Sequence, residues 1–349
     1  MKRRTITAAL LAGAAAISLA LTGCVAGEGA AGSTTAATAS GTGTVTKGGT
    51  LNIDYATYNP LSLVIKQEGW LEAALKKQGI TVNWVQSTGS NKANAALLAG
   101  AIDVGSTAGS AALLARANGS PIQAIDIFSQ PEWSALVVGP KSTITSVKQL
   151  KGKQIAATKG TDPYFFLIQA LAANGMKPSD VTIQNLQHAD GWAALQNGSV
   201  DAWAGLDPIM ANAQQSGAKL IYRNVGFNTY GFLDATQSFI KTEPDVAQTV
   251  VNTYEYARAW ALKHPTQTEQ ILATAASIPL PVATTVISQR TNLNVSNVPG
   301  PAQLKVLKTV GPLFVQTGDV ANQGLINTAL KTLLNPTFAK KADPSVIGK

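Results

Sequence analysis

The feature that most constrains the fold is an alternation of strand-like and helix-like segments that runs along the chain and then starts again. The first series lies at 51–55, 61–77, 80–85, 91–98, 102–104, 110–117 and 122–128. The second follows residues 141–153 and lies at 154–157, 163–173, 181–185, 191–196, 200–203, 208–214 and 219–222. Such an order is typical of α/β folds with a largely parallel sheet, and its restart predicts two lobes.

An internal echo supports this duplication. Residues 97–106, LLAGAIDVGS, and residues 195–204, LQNGSVDAWA, share the pattern Leu-x-x-Gly-x-(Ile/Val)-Asp. In each copy the pattern predicts a helix that ends at the glycine, which tolerates a left-handed backbone, and then a short buried strand. Asp103 and Asp201 stand near the strand start, where we expect capping or turn hydrogen bonds rather than chemistry.

After Tyr230 the chain becomes helical. Thr242 and Asp245 form a capping-box pattern with a proline in the first turn, and apolar residues follow at helical spacing. Further helices are predicted at 268–275, 282–289, 302–316 and 323–333. These helices most simply cover the first lobe. The chain must then cross between the lobes twice, at 134–141 and 229–240, and two crossings make a hinge with a cleft beside it.

The single cysteine, Cys24, follows a positively charged start and an apolar run. Lys2, Arg3 and Arg4 precede the uncharged stretch 6–21, which is too short to be a comfortable membrane span. Residues 21–24, LTGC, resemble a lipobox, the bacterial motif whose cysteine is diacylated before cleavage in front of it. We expect a signal peptide at 1–23, a lipid on Cys24 and a flexible tether at 24–47. The alternative is an ordinary export signal with an incidental cysteine.

Composition excludes several kinds of site. With its cysteine used for lipid, the mature chain has no thiol for disulfides, catalysis or a cysteine–zinc site. The formal charge of +8 becomes +5 without the three basic residues of the signal, the lysines are scattered and aromatics make up 6%. We therefore expect no nucleic-acid partner. There are two histidines and no Walker loop, Gly-x-Ser-x-Gly motif or metal-spaced histidine pair, so we expect no cofactor, no metal and no enzyme.

Three stretches carry a resemblance to a known family. QLKGKQIAATKGT (149–161), GSVDAWAGLDP (198–208) and the lipobox resemble the solute-binding lipoproteins of bacterial ABC importers, and most closely the branch for aliphatic sulfonates, taurine and nitrate. The resemblance covers about residues 48–290. It implies an α/β, two-lobed, periplasmic-binding-protein-like fold of type II, hinged by two crossing segments, with extra C-terminal helices. Lobe I would comprise 48–137 and 229–349, and lobe II 138–228.

The function implied by this resemblance is capture of a small organic anion, sulfonate-like, outside the cytoplasm. The partners would be ABC permease and ATPase subunits, and the membrane through the lipid on Cys24. We expect a monomer in the cell envelope, either lipid-anchored on the outer face of the cytoplasmic membrane or periplasmic. Alternatives are a tethered ligand-binding sensor, or a binding protein for nitrate or a thiamine-type pyrimidine. Enzymes of related fold exist, but a lipid anchor argues against a cytoplasmic one.

Two positions depart from the family pattern. Ser134 stands where taurine and alkanesulfonate members often carry an acidic residue, with Glu132 two residues earlier, and Leu206 stands where a tryptophan often precedes the Asp-Pro pair. These departures weigh against the amine-recognising part of a taurine site.

Candidate donors for an anion lie in the loops that leave the strands, because ligands of open α/β sheets bind beyond the carboxyl ends of the strands. Helix N-termini offer free N–H groups there, and glycine lets a ligand approach the backbone. None of the four arginines of the mature chain falls in these loops, so hydroxyls and amides would have to bind the anion. The candidates are Ser87, Ser90, Ser106, Thr107, Gly160 and Thr161.

Acidic and aromatic residues of the same loops favour an organic ligand over bare nitrate or sulfate. The carboxylates would bind a positive or hydrogen-bond-donating part of the ligand, and the rings would sandwich its body. The remaining candidates are Tyr55, Tyr58, Asn59, Trp133, Asp162, Asp190, Trp203 and Asp207. The alternative for each is structural, with capping for the hydroxyls and Asp207 and core packing for the rings. His188 opens one of these loops, where we expect a hydrogen-bonding role.

Overall fold

Two β-sheets organise residues 48–348, the part of the chain that the computed structural model describes. The strands are β1 (Thr50–Tyr55), β2 (Thr81–Gln86), β3 (Val104–Ala108), β4 (Ile122–Pro131), β5 (Ser134–Val138), β6 (Gln154–Ala157), β7 (Thr182–Asn185), β8 (Ala202–Leu206), β9 (Lys219–Arg223), β10 (Gly231–Thr236) and β11 (Thr291–Asn292). The first sheet has the order β11-β4-β10-β3-β1-β2 and the second the order β7-β6-β8-β5-β9. Each sheet with its helices is one lobe, and the two-lobed α/β fold of type II predicted from the sequence is confirmed.

Helices cover both sheets. They are α1 (Pro60–Glu68), α2 (Trp70–Lys76), α3 (Ser90–Leu98), α4 (Gly109–Ala117), α5 (Asp162–Ala173), α6 (His188–Gln196), α7 (Ile209–Gln215), α8 (Gln237–Thr242), α9 (Pro244–Lys263), α10 (Pro265–Ala276), α11 (Leu280–Thr284), α12 (Pro301–Gln316), α13 (Gln323–Thr332) and α14 (Thr337–Lys340). The prediction of one helix over 61–77 is wrong, because Gly69 adopts φ 69°, a left-handed conformation that ends α1 and starts α2.

The internal echo marks the same structural device in both lobes. β1 pairs in parallel with β2 and β3, as β6 does with β7 and β8. Gly100 and Gly198 close α3 and α6 with φ of 68° and 79°. Asp103 and Asp201 then each accept a backbone N–H from the neighbouring strand at 2.9 Å. Both aspartates therefore have the structural role that the sequence predicted.

The chain passes between the sheets at two short segments that lie next to each other. β4 ends at Pro131 and β5 begins at Ser134 in the other sheet, while the return runs from the end of β9 to the start of β10. The residues expected to cross at 134–141 and 229–240 are in large part strand residues instead. Asn228 Oδ1 accepts the N–H of Ser134 at 3.0 Å and so joins the two crossings.

Apolar contacts join the lobes on one flank. Phe165 of α5 in lobe II and Phe314 of α12 in lobe I have ring centroids 4.4 Å apart. Both side chains are fully buried in one apolar cluster that also contains Leu113 of lobe I and Leu136 of lobe II. Because burying such side chains is favourable, this flank stabilises the two lobes against each other.

The C-terminal helices pack mainly on lobe I: α9 packs on α1 and α2, and α12 and α13 pack on α4. Two local predictions are wrong. Thr242 ends α8, which Thr236 caps by accepting the N–H of Phe239, and α9 begins after Glu243 without a side-chain cap. The helix expected at 282–289 begins as α11 and continues as a π-helical turn, Thr285–Arg290. The strand β11 that follows adds a short edge to the first sheet.

The predicted signal peptide, Cys24 and most of the tether lie outside the described residues. Between residues 48 and 348 no single helix is long and apolar enough to cross a membrane, although a pair bent by 120°, Pro265–Ala276 with Leu280–Arg290, passes by length and composition alone.

Candidate solute-binding cleft

Loops from the two lobes meet where the sequence predicts a cleft. Ser110, at the start of α4 in lobe I, donates a hydrogen bond of 2.7 Å to Asp162, at the start of α5 in lobe II. Gly89, just before α3, lies so near lobe II that a Cβ on it would stand 3.1 Å from His188 Nε2. We call this boundary the interlobe cleft; in this structure its walls touch.

Asp162 is the centre of the contact between the lobes. Its carboxylate accepts hydrogen bonds from Ser110 Oγ at 2.7 Å, Thr229 Oγ1 at 2.6 Å, Thr229 N at 2.9 Å and Trp133 Nε1 at 2.8 Å. Burial raises the pKa of this carboxyl, while the four hydrogen bonds oppose the rise. The Thr229 N–H and the Trp133 indole N–H can only donate, so Asp162 Oδ2 is an acceptor. An acceptor of the protein itself therefore occupies the contact between the lobes.

Three candidates form the floor of the cleft in lobe I, and their polar groups bond to that lobe. Ser106 donates from N at 2.8 Å and from Oγ at 2.9 Å to Asp54, and Thr107 Oγ1 donates at 2.6 Å to Asp234. The Tyr58 hydroxyl donates a hydrogen bond of 2.9 Å to the backbone carbonyl of Ser106. Burial raises the pKa of Asp54 and that of Asp234 to about 7. These hydroxyls already donate to a buried carboxyl group or, for Tyr58, to a backbone carbonyl, so their role as donors to a ligand stays a prediction that this geometry does not favour.

Four more candidates line the boundary itself. Ser90 Oγ accepts the N–H of Ala108 at 2.9 Å, which leaves its own proton available to donate. Thr161 is the N-cap residue of α5, but its hydroxyl turns back to a carbonyl at 2.6 Å. Gly160 adopts φ 76°, and the Ser87 hydroxyl opposes the rise in the pKa of Asp54. Of the predicted hydroxyls, Ser90 therefore has the greatest freedom to bind a solute.

Two predicted residues face away from the boundary. Tyr55 packs edge-on against Trp84 with Lys66 Nζ 4.9 Å from its ring centre, and it lines a separate cavity of about 330 Å³ beside α1 and α10. Asn59 is fully buried, accepts the N–H of Ser62 to cap α1 and donates to Tyr254. Their predicted contact with a ligand finds no geometric support, because both side chains serve packing or capping within lobe I.

Two predicted residues of lobe II are also placed unfavourably for a ligand. Asp190 lies in the first turn of α6 and is exposed. Trp203 is fully buried in the core of lobe II and packs on Trp192, with ring centroids 6.1 Å apart. Gly191 of α6 lies directly against the Trp203 ring, so the backbone of α6 covers this indole.

Asp207 forms a buried ion pair that the sequence did not predict. Its Oδ1 lies 3.0 Å from Arg290 Nη1, and Arg290 also donates to Gln214. The same carboxylate accepts the N–H of Ala211 at 2.9 Å, which is the capping role expected as the alternative. Burial raises the pKa of Asp207 to about 6, against the opposing effect of the Arg290 charge. The pair links the C-terminal helical region to lobe II.

Sequence reasoning missed several residues of this boundary. Ser110 and Asn91 lie in loops that leave the strands but are not among the predicted ligand-binding residues, and Thr229 lies in a predicted crossing segment. His188 also lies at this boundary, where its side chain is almost fully buried, at 2% exposure. Hydroxyl-rich loops could have indicated Ser110, whereas only three-dimensional pairing brings Thr229 to Asp162. Among the described residues, no group of three or more His, Cys, Asp or Glu could hold a metal ion.

Comparison with known proteins gives a consistent picture. The model of the NMT1/THI5-like family matches residues 63–268. A Bacillus subtilis (strain 168) protein named for aliphatic sulfonate binding is 30% identical over 236 residues, 66% of this chain and 71% of that protein. The taurine-binding periplasmic protein of Escherichia coli (strain K12) is 34% identical over 133 residues, 37% of this chain and 41% of that protein.

Solved structures agree with the sequence relatives. The alkanesulfonate-binding protein SsuA from Xanthomonas axonopodis pv. citri, bound to MOPS, superimposes with a TM-score of 0.73 at 26% identity, over 80% of this chain and 97% of that one. The desulfurization enzyme DszB superimposes with a TM-score of 0.61 at 15% identity, over 84% of this chain and 98% of that one. The likeness to the enzyme concerns the fold alone.

Proposed function

Since this chain belongs to the NMT1/THI5-like family, we propose that it is the extracytoplasmic solute-binding component of an ABC importer. Its interlobe cleft captures a small organic sulfonate and presents it to the permease and ATPase subunits. The observation that carries the proposal is the architecture shared with 97% of the SsuA chain bound to MOPS, itself a sulfonate. The proposal assigns no catalytic step to the chain.

The cleft offers the chemistry that a sulfonate needs. Four helices of nine or more residues, α3, α4, α5 and α6, begin at the lobe boundary and present the positive ends of their dipoles. The Ser90 hydroxyl at the start of α3 keeps its proton free to donate. Because the Asp162 carboxyl is itself a hydrogen-bond acceptor, we place the sulfonate group nearer to α3 and α6 than to Asp162. Hydrogen bonds to a charged group contribute roughly 1.5–3 kcal/mol each, so a few of them support micromolar affinity.

Entry of a solute requires the walls of the cleft to part. The two crossing segments lie side by side and are joined by the Ser134–Asn228 hydrogen bond, so they can act as one hinge. Opening breaks the contacts of Asp162 with Ser110, while closing over a solute restores them and adds contacts from both lobes. A solute that binds the closed form better than the open form shifts the equilibrium toward closure.

Calorimetric titration of the mature protein with ethanesulfonate, butanesulfonate and MOPS tests the function. We expect one site per chain, a Kd in the micromolar range (about −8 kcal/mol) and a Tm that rises with sulfonate concentration. Sulfate, nitrate and a thiamine-type pyrimidine serve as comparisons. Stabilisation by nitrate or the pyrimidine, with no response to any sulfonate, would replace the proposed solute by that compound.

The lipid anchor on Cys24 is part of the same proposal, and it rests on the signal-like segment and the LTGC motif. Growth of expressing cells with an alkyne-tagged fatty acid should label the wild-type protein. The Cys24→Ala variant should carry no label, because the thiol is the acceptor, and Ser33→Ala in the same tether should be labelled like the wild type. A labelled Cys24→Ala variant would show that the lipid, if any, is elsewhere.

A further inference from the structure

His188 Nε2 lies at the boundary between the lobes and has no hydrogen-bond partner among residues 48–348. Its Nδ1 lies 3.2 Å from the Thr158 hydroxyl oxygen, and that hydroxyl donates its own proton to the Leu186 carbonyl at 2.7 Å. A hydroxyl has one proton, so the imidazole must be the donor between His188 and Thr158. The ring proton is therefore on Nδ1, and Nε2 is a hydrogen-bond acceptor.

Asn91 Oδ1 of lobe I is a second hydrogen-bond acceptor, and like His188 Nε2 it lies beside Gly89. His188 Nε2 lies 3.1 Å, and Asn91 Oδ1 2.8 Å, from the position that a Cβ on Gly89 would take. The Asn91 amide nitrogen points to Gln187 Oε1 at 3.5 Å, which leaves the oxygen facing Gly89. Among residues 48–348 neither acceptor has a hydrogen-bond partner, and both atoms are buried.

The chemistry of the two atoms selects their ligand. Burial lowers the pKa of His188 to about 4, so the imidazole is neutral near pH 7 and Nε2 carries no proton. Asn91 Oδ1 is likewise an acceptor. Two acceptors repel an anion and attract an O–H or N–H group. They lie beside the start of α3, where backbone N–H groups and Ser90 supply the donors that a sulfonate requires.

We propose that His188 Nε2 and Asn91 Oδ1 form a subsite that receives a hydroxyl or amino group of the solute, so that the cleft prefers hydroxy- or amino-substituted alkanesulfonates to plain ones. This inference rests on the proposed function. The two ends of the solute would then be bound by different groups. Donors at the helix starts would bind the sulfonate end, and the acceptors His188 Nε2 and Asn91 Oδ1 would bind the hydroxyl or amino end. Leaving a buried polar group unpaired is costly, so such sites discriminate strongly against analogues that lack the matching group.

Three ligands of equal chain length test the inference: ethanesulfonate, isethionate (2-hydroxyethanesulfonate) and taurine (2-aminoethanesulfonate). For the wild type we expect Kd values about tenfold lower for isethionate or taurine than for ethanesulfonate, the effect of one hydrogen bond. His188→Phe removes the acceptor at similar volume and should bring this ratio close to one. His264→Phe is the matched control, because that ring stacks on Trp260 of α9 and should leave the ratio unchanged.

A second variant guards against misfolding of His188→Phe. Gly89 has φ 163°, an extended backbone that alanine adopts, and the methyl group of Gly89→Ala would stand against both acceptors. It should abolish the preference as well. If the wild type binds all three ligands equally, the subsite is overturned and the proposed function stands. If the wild type binds none of the three sulfonates, both the subsite and the proposed sulfonate-binding function are overturned.

Discussion

At the scale of single residues, two buried aspartates beneath the cleft have pKa values above the usual range for aspartate. Asp234 pairs with Gly105 across β10 and β3, and Asp54 follows Ile53, whose partner in β3 is Val104. The two aspartates thus flank one glycine from either side. Burial raises the pKa of each to about 7, and the Asp54 charge adds to the rise at Asp234. Both side chains are fully buried, and this burial is the main cause of the rise in their pKa values.

Asp54→Asn should change how stability depends on pH. The pKa of Asp54 rises from 3.8 in the unfolded chain to about 7 in the folded one, so its stabilising contribution is full below pH 3.8 and is lost as the pH rises through about 7. Relative to the variant, the wild type should lose up to roughly 4 kcal/mol of unfolding free energy across that window, at about 1.4 kcal/mol per pKa unit. Urea unfolding at several pH values measures this. Exposed Asp190→Asn is the control, and equal pH slopes in wild type and Asp54→Asn would contradict the assignment.

At the scale of elements, α11 and the π-helical turn after it tie the C-terminal region to α7 of lobe II. The tie consists of the Arg290–Asp207 pair and an apolar cluster that includes Ala211 of α7 and Val286 of the turn. Both side chains of the pair are almost fully buried, at 4% and 3% exposure. Removing one member of a buried pair leaves an uncompensated charge, which costs more than the pair itself contributes.

Arg290→Met should therefore lower the free energy of unfolding by about 3–5 kcal/mol. The double variant Asp207→Asn, Arg290→Met should recover a large part of that loss, because no charge then remains buried. Arg223→Met is the control: its partner is Glu132, but the Arg223 side chain is 48% exposed, so the expected loss is below about 1 kcal/mol. Chemical denaturation measures all three, and equal losses for Arg290→Met and Arg223→Met would refute the burial argument.

The sequence predicts helices, strands and their ends better than it predicts contacts between remote residues. Local signals sufficed where one residue type decides a conformation: glycine closes α3 and α6, and an aspartate three residues later accepts a backbone N–H of the neighbouring strand. They failed where partners are remote. Arg290 stands 83 residues from Asp207 and Thr229 stands 67 from Asp162, and no periodicity relates such positions. Thus the lobes were predictable, while most of the contacts between them were not.

At the scale of the whole molecule, the two lobes are joined by polar and by apolar contacts. The polar part is centred on Asp162, which takes donors from lobe I and from both crossing segments. The apolar part is the Phe165–Phe314 flank. Closure therefore does not depend on a solute alone, and the affinity for a solute depends on how much of the protein is already closed.

Asp162→Ala should shift the molecule toward an open form. It leaves the donors of Ser110, Thr229 and Trp133 without their acceptor, which should lower the unfolding free energy by about 3 kcal/mol and weaken the closed form more than the open one, where water reaches these groups. The radius of gyration from small-angle X-ray scattering of the free variant should exceed that of the wild type and should fall when a bound sulfonate closes the lobes. Asp190→Ala, exposed in the same lobe, should scatter like the wild type. Superimposable curves for free wild type and Asp162→Ala would mean that the apolar flank alone holds the lobes together, and the hinge would then have to open against Phe165 and Phe314.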